Sequence, residues 1–424
     1  MLVYIHVPFC QTRCAYCAFH SMPLLGKDEM TGRRLMDSYV DTLLAEISLQ
    51  AQKLPNKEVE SVFFGGGTPS MLPAESFARL MDGLRANFQM TEKAEITIEA
   101  NPESIRGRDK LDAWLAAGAN RISIGLQSLD DAALRMLGRP HKAQDGLRAV
   151  ALAREAGFAN IGVDLMWGLP GQSVHQWLQT LKEIAALGVE HISSYGLTLE
   201  PGTRLEQRCE KGELVLPPER DQGIMFMEGA ATLEAAGYMH YEISNFARMG
   251  FQCRHNLGYW EGADYLGLGP SSTSTLGERR WTNPADMKSW MESVSKGGAG
   301  QNIELLSPKT RALELIMLRL RTARGMRLKA YQNFCGRDFL QDNRKLMQAL
   351  HENGLIRIRN GYLSLTRSGM LVSNSIISNL FERIQQTLGE NPTQYNSRAL
   401  NEPQSGSVIP ADRQSPLPVK WKEA

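Results

Sequence analysis

Val3-Tyr-Ile-His-Val-Pro-Phe-Cys10-Gln-Thr-Arg-Cys14-Ala-Tyr-Cys17-Ala-Phe-His20 runs a β-branched stretch directly into three thiols spaced Cys-x3-Cys-x2-Cys. A strand that feeds its C-terminal end into a ligand loop is how parallel β/α proteins present a site. Thiolates are the usual protein ligands of iron–sulfur clusters, and a cubane normally takes four. Three close together leave one iron without a protein ligand. An open coordination position serves chemistry where a closed one serves structure. A zinc ribbon calls for a second Cys-x-x-Cys, which this chain lacks. A redox pair on Cys14 and Cys17 leaves Cys10 without a role. Zinc and a dithiol stand as the alternatives to the cluster.

Outward from that loop, short β-branched runs alternate with amphipathic stretches. Strands are expected at 2–7, 61–64, 95–99, 121–125, 160–165 and 191–195, and helices at 36–52, 74–87, 108–117, 130–137, 143–155 and 174–187. Gly118, Gly157 and Gly188 follow three of the helices, where a C-cap glycine is favoured. Strand followed by helix is the signature of parallel βα units. Six units fall short of an eight-fold barrel, so the pattern predicts an open, partial barrel. The strands end at the cysteine loop, at Gly65-Gly66-Gly67-Thr68-Pro69, at Glu99-Ala-Asn101, at Gly125-Leu-Gln127 and at Asp164. Polar and glycine-rich residues thus gather where the architecture places a site.

The cysteine spacing, with Tyr16 before the third thiol, resembles the cluster loop of radical S-adenosylmethionine (SAM) proteins. That resemblance implies a [4Fe-4S] cluster on Cys10, Cys14 and Cys17, with SAM chelating the open iron and cleaved to a deoxyadenosyl radical. It implies the α/β fold of that superfamily: a (β/α)6 TIM-like partial barrel, here with a C-terminal helical winged-helix-like domain. Gly65, Gly66, Gly67 and Thr68 match the segment that holds the SAM amino group; on their own the glycines equally mark a tight turn. No Lys-Ser or Lys-Thr follows, so a phosphate loop is not indicated. Within the superfamily, Tyr4, Tyr16, Gly65, Gly66, Glu99, Gln127, Arg139 and Asp164 match the SAM-contacting pattern of the coproporphyrinogen oxidase branch. Read without it, Glu99 and Asp164 are equally candidates for helix N-caps.

Two departures separate the chain from the oxidases. They carry a further cysteine two residues past the third, where Phe19 stands here, and a long N-terminal arm, against nine residues before Cys10. Both fit the sister group, the HemW-type heme chaperones. His255-Asn-x-x-Tyr-Trp260 matches a segment linked to heme in that group, with Cys253 as a competing ligand. The bland reading of His255 is a packed aromatic loop. The resemblance implies a protein that binds heme and delivers it to acceptor hemoproteins such as membrane respiratory enzymes, with a homodimer as an open option. Oxygen-independent coproporphyrinogen III decarboxylation is the alternative.

Residues 1–200 are expected to form the barrel, 201–306 an extension with the histidine segment, 307–386 the winged-helix-like domain and 387–424 a disordered tail. Gly267-Leu-Gly269-Pro reads as a loop, and Asn360-Gly361 as a hairpin turn. Cys209 and Cys335 read as core thiols. A net charge of +1 argues against nucleic acid as the partner of the winged-helix-like part. No apolar run is long enough to span a bilayer, and the start has no basic-then-apolar leader, so a reduced cytoplasmic setting is expected.

Overall fold

The computed structural model describes residues 1–387 apart from 299. The tail expected at 387–424 lies outside the described residues, except for Thr387, which ends a helix. Six strands follow the predicted rhythm: β1 (Leu2–Val7), β2 (Glu58–Gly66), β3 (Gln89–Ala100), β4 (Arg121–Gln127), β5 (Ile161–Trp167) and β6 (His191–Gly196). Between them run α1 (Glu29–Lys53), α2 (Ala74–Asn87), α3 (Arg108–Ala116), α4 (Asp131–Met136), α5 (Ala143–Ala156) and α6 (Val174–Ala186). All five neighbouring pairs from β1 to β6 are parallel. Gly118, Gly157 and Gly188 take φ of 103°, 108° and 67° at the helix ends, a left-handed turn that costs glycine little.

Strand period decides which side chain meets which layer. Val3, Ile5 and Val7, Val62 and Phe64, Ile96 and Ile98, and Ile122 and Ile124 belong to one buried core with the helices. The alternate residues turn inward. A Cβ built on Gly65 would stand 3.0 Å from the Tyr4 ring and 3.1 Å from the Glu99 carboxylate, and one on Gly162 3.2 Å from both Arg121 and Ser123. The barrel therefore has an oily wall and a polar lumen.

The chain beyond 200 adds α7 (Arg204–Glu210), α8 (Glu219–Ala235), α9 (Arg254–Glu261) and α10 (Met287–Ser295), with β7 (Met239–Glu242), β8 (Asn245–Ala247), β9 (Tyr265–Leu268), β10 (Thr273–Leu276), β11 (Arg279–Thr282) and β12 (Gln301–Leu305). The sheet order is β12-β11-β10-β9-β1-β2-β3-β4-β5-β6-β8-β7. Strand β9 pairs parallel to β1, with Leu2 opposite Tyr265 and Ile5 opposite Leu268. The loop expected around Gly267 is thus in part a seventh parallel strand. The segment expected as an aromatic loop is helix α9.

The described chain falls into two compact units. One comprises Met1–His240, Ser244–Gly258 and Asp264–Leu305; the other comprises Tyr241–Ile243, Tyr259–Ala263 and the residues from Leu306. The second holds α11 (Pro308–Arg319), α12 (Leu328–Cys335), α13 (Phe339–Asp342), α14 (Arg344–Glu352), α15 (Arg367–Leu371) and α16 (Ser373–Thr387). Strands β13 (Met326–Arg327), β14 (Ile356–Arg359) and β15 (Tyr362–Leu365) pair in the order β13-β15-β14. Asn360 and Gly361 turn the hairpin with φ of 51° and 77°, both left-handed as that turn requires. Among the described residues no helix is long and apolar enough to cross a membrane.

Candidate functional site

A cavity of about 340 Å³ opens at the C-terminal ends of the barrel strands. Cys10, Cys14 and Cys17 line it together with Tyr16, Gly66, Gly67, Thr68, Glu99, Gln127, Arg139 and Asp164. A larger groove of about 540 Å³ lies between α4 and α6 but carries no thiol, so the chemistry belongs to the smaller cavity.

The cysteine loop is held by its own backbone. Phe9 and Cys10 pair in parallel with Met22 and Pro23. Ala15 N–H donates to the Leu137 carbonyl at 2.8 Å, and Leu205 N–H donates to that of Ala15 at 2.9 Å. Thr68 Oγ1 donates to Cys10 Sγ at 3.4 Å, and Arg139 Nη1 to Cys14 Sγ at 3.6 Å. Burial pushes the Cys10 and Cys17 thiols up, so a metal entering here displaces protons. Among the described residues no three such side chains close round a single ion. A cubane is wider than one ion, and three thiols lining one cavity would suit it, leaving one iron without a protein ligand.

Two acids line the same cavity. Burial, then the charge of Asp164, pushes Glu99 up to about 8; burial also raises Asp164, against donors on Ser193 and Ser123. Ser123 Oγ stands 3.2 Å from Asp164 Oδ1. Neither acid caps the helix that follows it: Gly107 is the N-cap of α3 and Ser173 that of α6. Two carboxyls that resist ionisation suit a ligand bringing positive charge, as an ammonium or a sulfonium does.

Arg139 is 9% exposed. Its Nη2 donates to Asn101 Oδ1 at 2.7 Å and to the Gly125 carbonyl at 2.9 Å. Burial opposes its charge, but Tyr16, Cys14 and Glu103 outweigh this and hold it protonated. Asn101 also donates from Nδ2 to Thr68 Oγ1 at 3.0 Å, so one amide ties the arginine to the glycine strand end. Asn101 and Ser123 line the cavity and were not among the sequence candidates; the strand-end rule that selected Glu99 also covers Asn101. Gln127 takes φ of 64°, a backbone cost that a non-glycine residue carries mostly at sites.

Three candidates stand elsewhere. Tyr4 and Gly65 lie below the cavity in the lumen, with Tyr4 Oη 3.2 Å from His6 Nδ1. His255 is at the opposite end of the barrel. Its Nδ1 is 2.8 Å from Oγ of Ser61, which pairs with Leu2 where β1 begins. Its N–H and that of Arg254 donate to the Glu95 carboxylate at 3.2 and 3.1 Å. His255 is 1% exposed, and burial lowers it to about 3. Cys253 is buried against the same Glu95 at 3.4 Å. Neither joins the cysteine cavity. Cys335 is buried as expected, whereas Cys209 is half-buried rather than in the core.

An open α/β barrel with three thiols at its first strand end defines a radical SAM protein, and the Radical SAM superfamily profile matches residues 4–184. The HemN C-terminal domain profile matches 306–372. The chain is 36% identical over 396 residues to the mitochondrial radical S-adenosyl methionine domain-containing protein 1 of Bos taurus, covering 91% of this chain and 88% of that one. It is 35% identical to the heme chaperone HemW of Mycobacterium tuberculosis, over 89% of this chain and 94% of that one. The coproporphyrinogen III oxidase HemN of Escherichia coli, a solved structure, superposes with a TM-score of 0.76 at 26% identity, covering 91% and 90% of the two chains. The chain belongs to the HemW-type family of radical SAM proteins.

Proposed function

We propose that this protein is a heme chaperone: it binds heme and delivers it to acceptor hemoproteins, with a 4Fe-4S cluster on Cys10, Cys14 and Cys17 and SAM beside it. The observation that carries the reading is the shared cavity of the three thiols and the strand-end acids, in a chain that a relative named a heme chaperone matches along 89% of its length. Bound together, cluster and SAM supply reductive cleavage of a carbon–sulfur bond. The chain's own part is to position. Glu99 and Asp164 accept from the cationic end of SAM, and Arg139, fixed by Asn101, faces a carboxylate. Gly66 and Gly67 bring backbone close to the ligand. Acceptors of the respiratory type fit the family.

The test is anaerobic cluster reconstitution of the full chain, followed by parallel challenge with heme and with coproporphyrinogen III. The expected result is heme that survives gel filtration and passes to an apo-hemoprotein, with no decarboxylated product. Turnover of coproporphyrinogen would overturn the reading in favour of the oxidase, whose fold the chain shares.

A further inference from the structure

Directly after the third cysteine, three large apolar side chains stand mostly in water within twelve residues: Phe19 at 70% exposure, Leu25 at 72% and Met30 at 62%. The backbone under them is fixed. Met22 N–H donates to the Pro8 carbonyl at 2.6 Å, Leu24 N–H to that of Cys10 at 2.8 Å and Leu25 N–H to that of Gln11 at 3.1 Å. His6 Nε2 lies 2.9 Å from the His20 carbonyl. Asp28 caps α1 just beyond. Bonding to the cysteine loop therefore imposes the exposure. An apolar rim kept in water beside a site marks a binding surface. Of the three side chains, Phe19 lines the cysteine cavity, as does Gln11, whose carbonyl holds Leu25, so the rim meets the cavity at Phe19.

The occupant must offer an apolar face to this rim, and its polar groups must meet what the segment carries. Heme does both. Its macrocycle is flat and apolar, its iron takes an imidazole or a thioether, and its two propionates are anionic. The stretch from Gln11 to Arg34 carries one imidazole, His20, and four exposed cations, of which Arg33 pairs with Asp37 and Glu75 and Arg34 with Met30, leaving Arg13 and Lys27 for the propionates. Met30 Sδ is engaged by Arg34 at 3.2 Å and Met22 packs against the barrel core, which leaves the imidazole as the ligand. His255, folded into the far end of the barrel, offers no such surface.

We infer that heme docks on this rim, its porphyrin face against Phe19 and Leu25 and its iron bound by His20. The inference rests on the heme-chaperone reading and names the site that reading leaves open. It puts the cargo at the lip of the cluster cavity, where an acceptor protein can reach it.

Ferric heme is titrated into the full reconstituted chain. Heme retained through gel filtration is measured as its pyridine haemochrome, to which the cluster does not contribute. Iron and sulfide content at the wild-type level checks that the loop is intact in each variant. The double variant F19S/L25S is expected to raise the heme Kd by about tenfold or more. His20→Ala is expected to lose the absorption and EPR signature of imidazole-ligated ferric heme, and added imidazole to restore it. Unchanged heme binding in both variants overturns the placement. If the same variants then fail only in transfer, the rim belongs to the acceptor protein instead. A wild-type chain that retains no heme overturns the heme-chaperone reading itself, a result distinct from either.

Discussion

Glu99 shows how a single carboxyl reports on the cavity. In the ligand-free protein its pKa is about 8, through burial first and Asp164 second. The folded value lies above the unfolded one of 4.5, so its contribution to stability is full below pH 4.5 and is lost as pH rises through about 8. The ligand-free wild type should therefore lose stability between pH 5 and 9, by about 1–2 kcal/mol once screening by cavity solvent is allowed for. Glu99→Gln, which does not ionise, should hold its melting temperature more nearly constant; equal pH slopes in the two proteins would contradict this. A cationic ligand reverses the balance. SAM binding at pH 7 should release a proton from this pair, read by titration calorimetry in two buffers of different ionisation enthalpy, and no release would remove the cationic end of SAM from these acids. The acids were legible in the sequence because strand ends in parallel sheets face the mouth. The place of His255 was not, because its position depends on a partner, Glu95, 160 residues away.

At the scale of the element, the glycines closing β2 fit the packing more tightly than a ligand-binding reading alone requires. A Cβ on Gly67 would stand 2.8 Å from the carbonyl oxygens of Pro8 and Phe9, and one on Gly66, at φ of 111°, 2.6 Å from the His6 ring. The obstacle at Gly67 is backbone and has no rotamer to yield. Gly67→Ala should push the cysteine loop outward, cost about 1–3 kcal/mol and lower reconstituted iron per chain. A urea midpoint and iron content both at wild-type values would show that the strand end has room to spare. Gly267 shows why β9 was missed. Its absent side chain reads as a turn, yet a Cβ there would lie 2.2 Å from the Thr273 carbonyl oxygen. The residue is glycine because a neighbouring backbone passes close by, inside a strand. Long, regularly patterned elements such as α2 and α5 were legible; short strands full of small residues were not.

Across the whole molecule, Glu46 of α1 ties the added strands to the barrel. Its carboxylate accepts from Gly269 N–H at 2.8 Å, Asn283 Nδ2 at 2.6 Å and Trp290 Nε1 at 3.2 Å. Burial pushes it up to about 7, against those three donors. Glu46→Ala leaves Gly269 N–H and Trp290 Nε1 buried without this acceptor, while Asn283 Nδ2 keeps the Gly269 carbonyl at 2.9 Å and Ser272 Oγ at 3.2 Å, and should cost about 3 kcal/mol in chemical denaturation. Glu46→Gln, which still accepts, should lose less; equal losses would show that the charge rather than the bonding matters. No local pattern announces such a clamp, since its partners lie more than 220 residues further along the chain. The cysteine loop is anchored to its surroundings too, by peptide groups of Met22, Leu24, Leu137 and Leu205. Oxygen that strips iron from those thiols would thus leave an intact empty socket. Damage of that kind should then be repairable in place, by new iron and sulfide, with no need to unfold the chain or make it again.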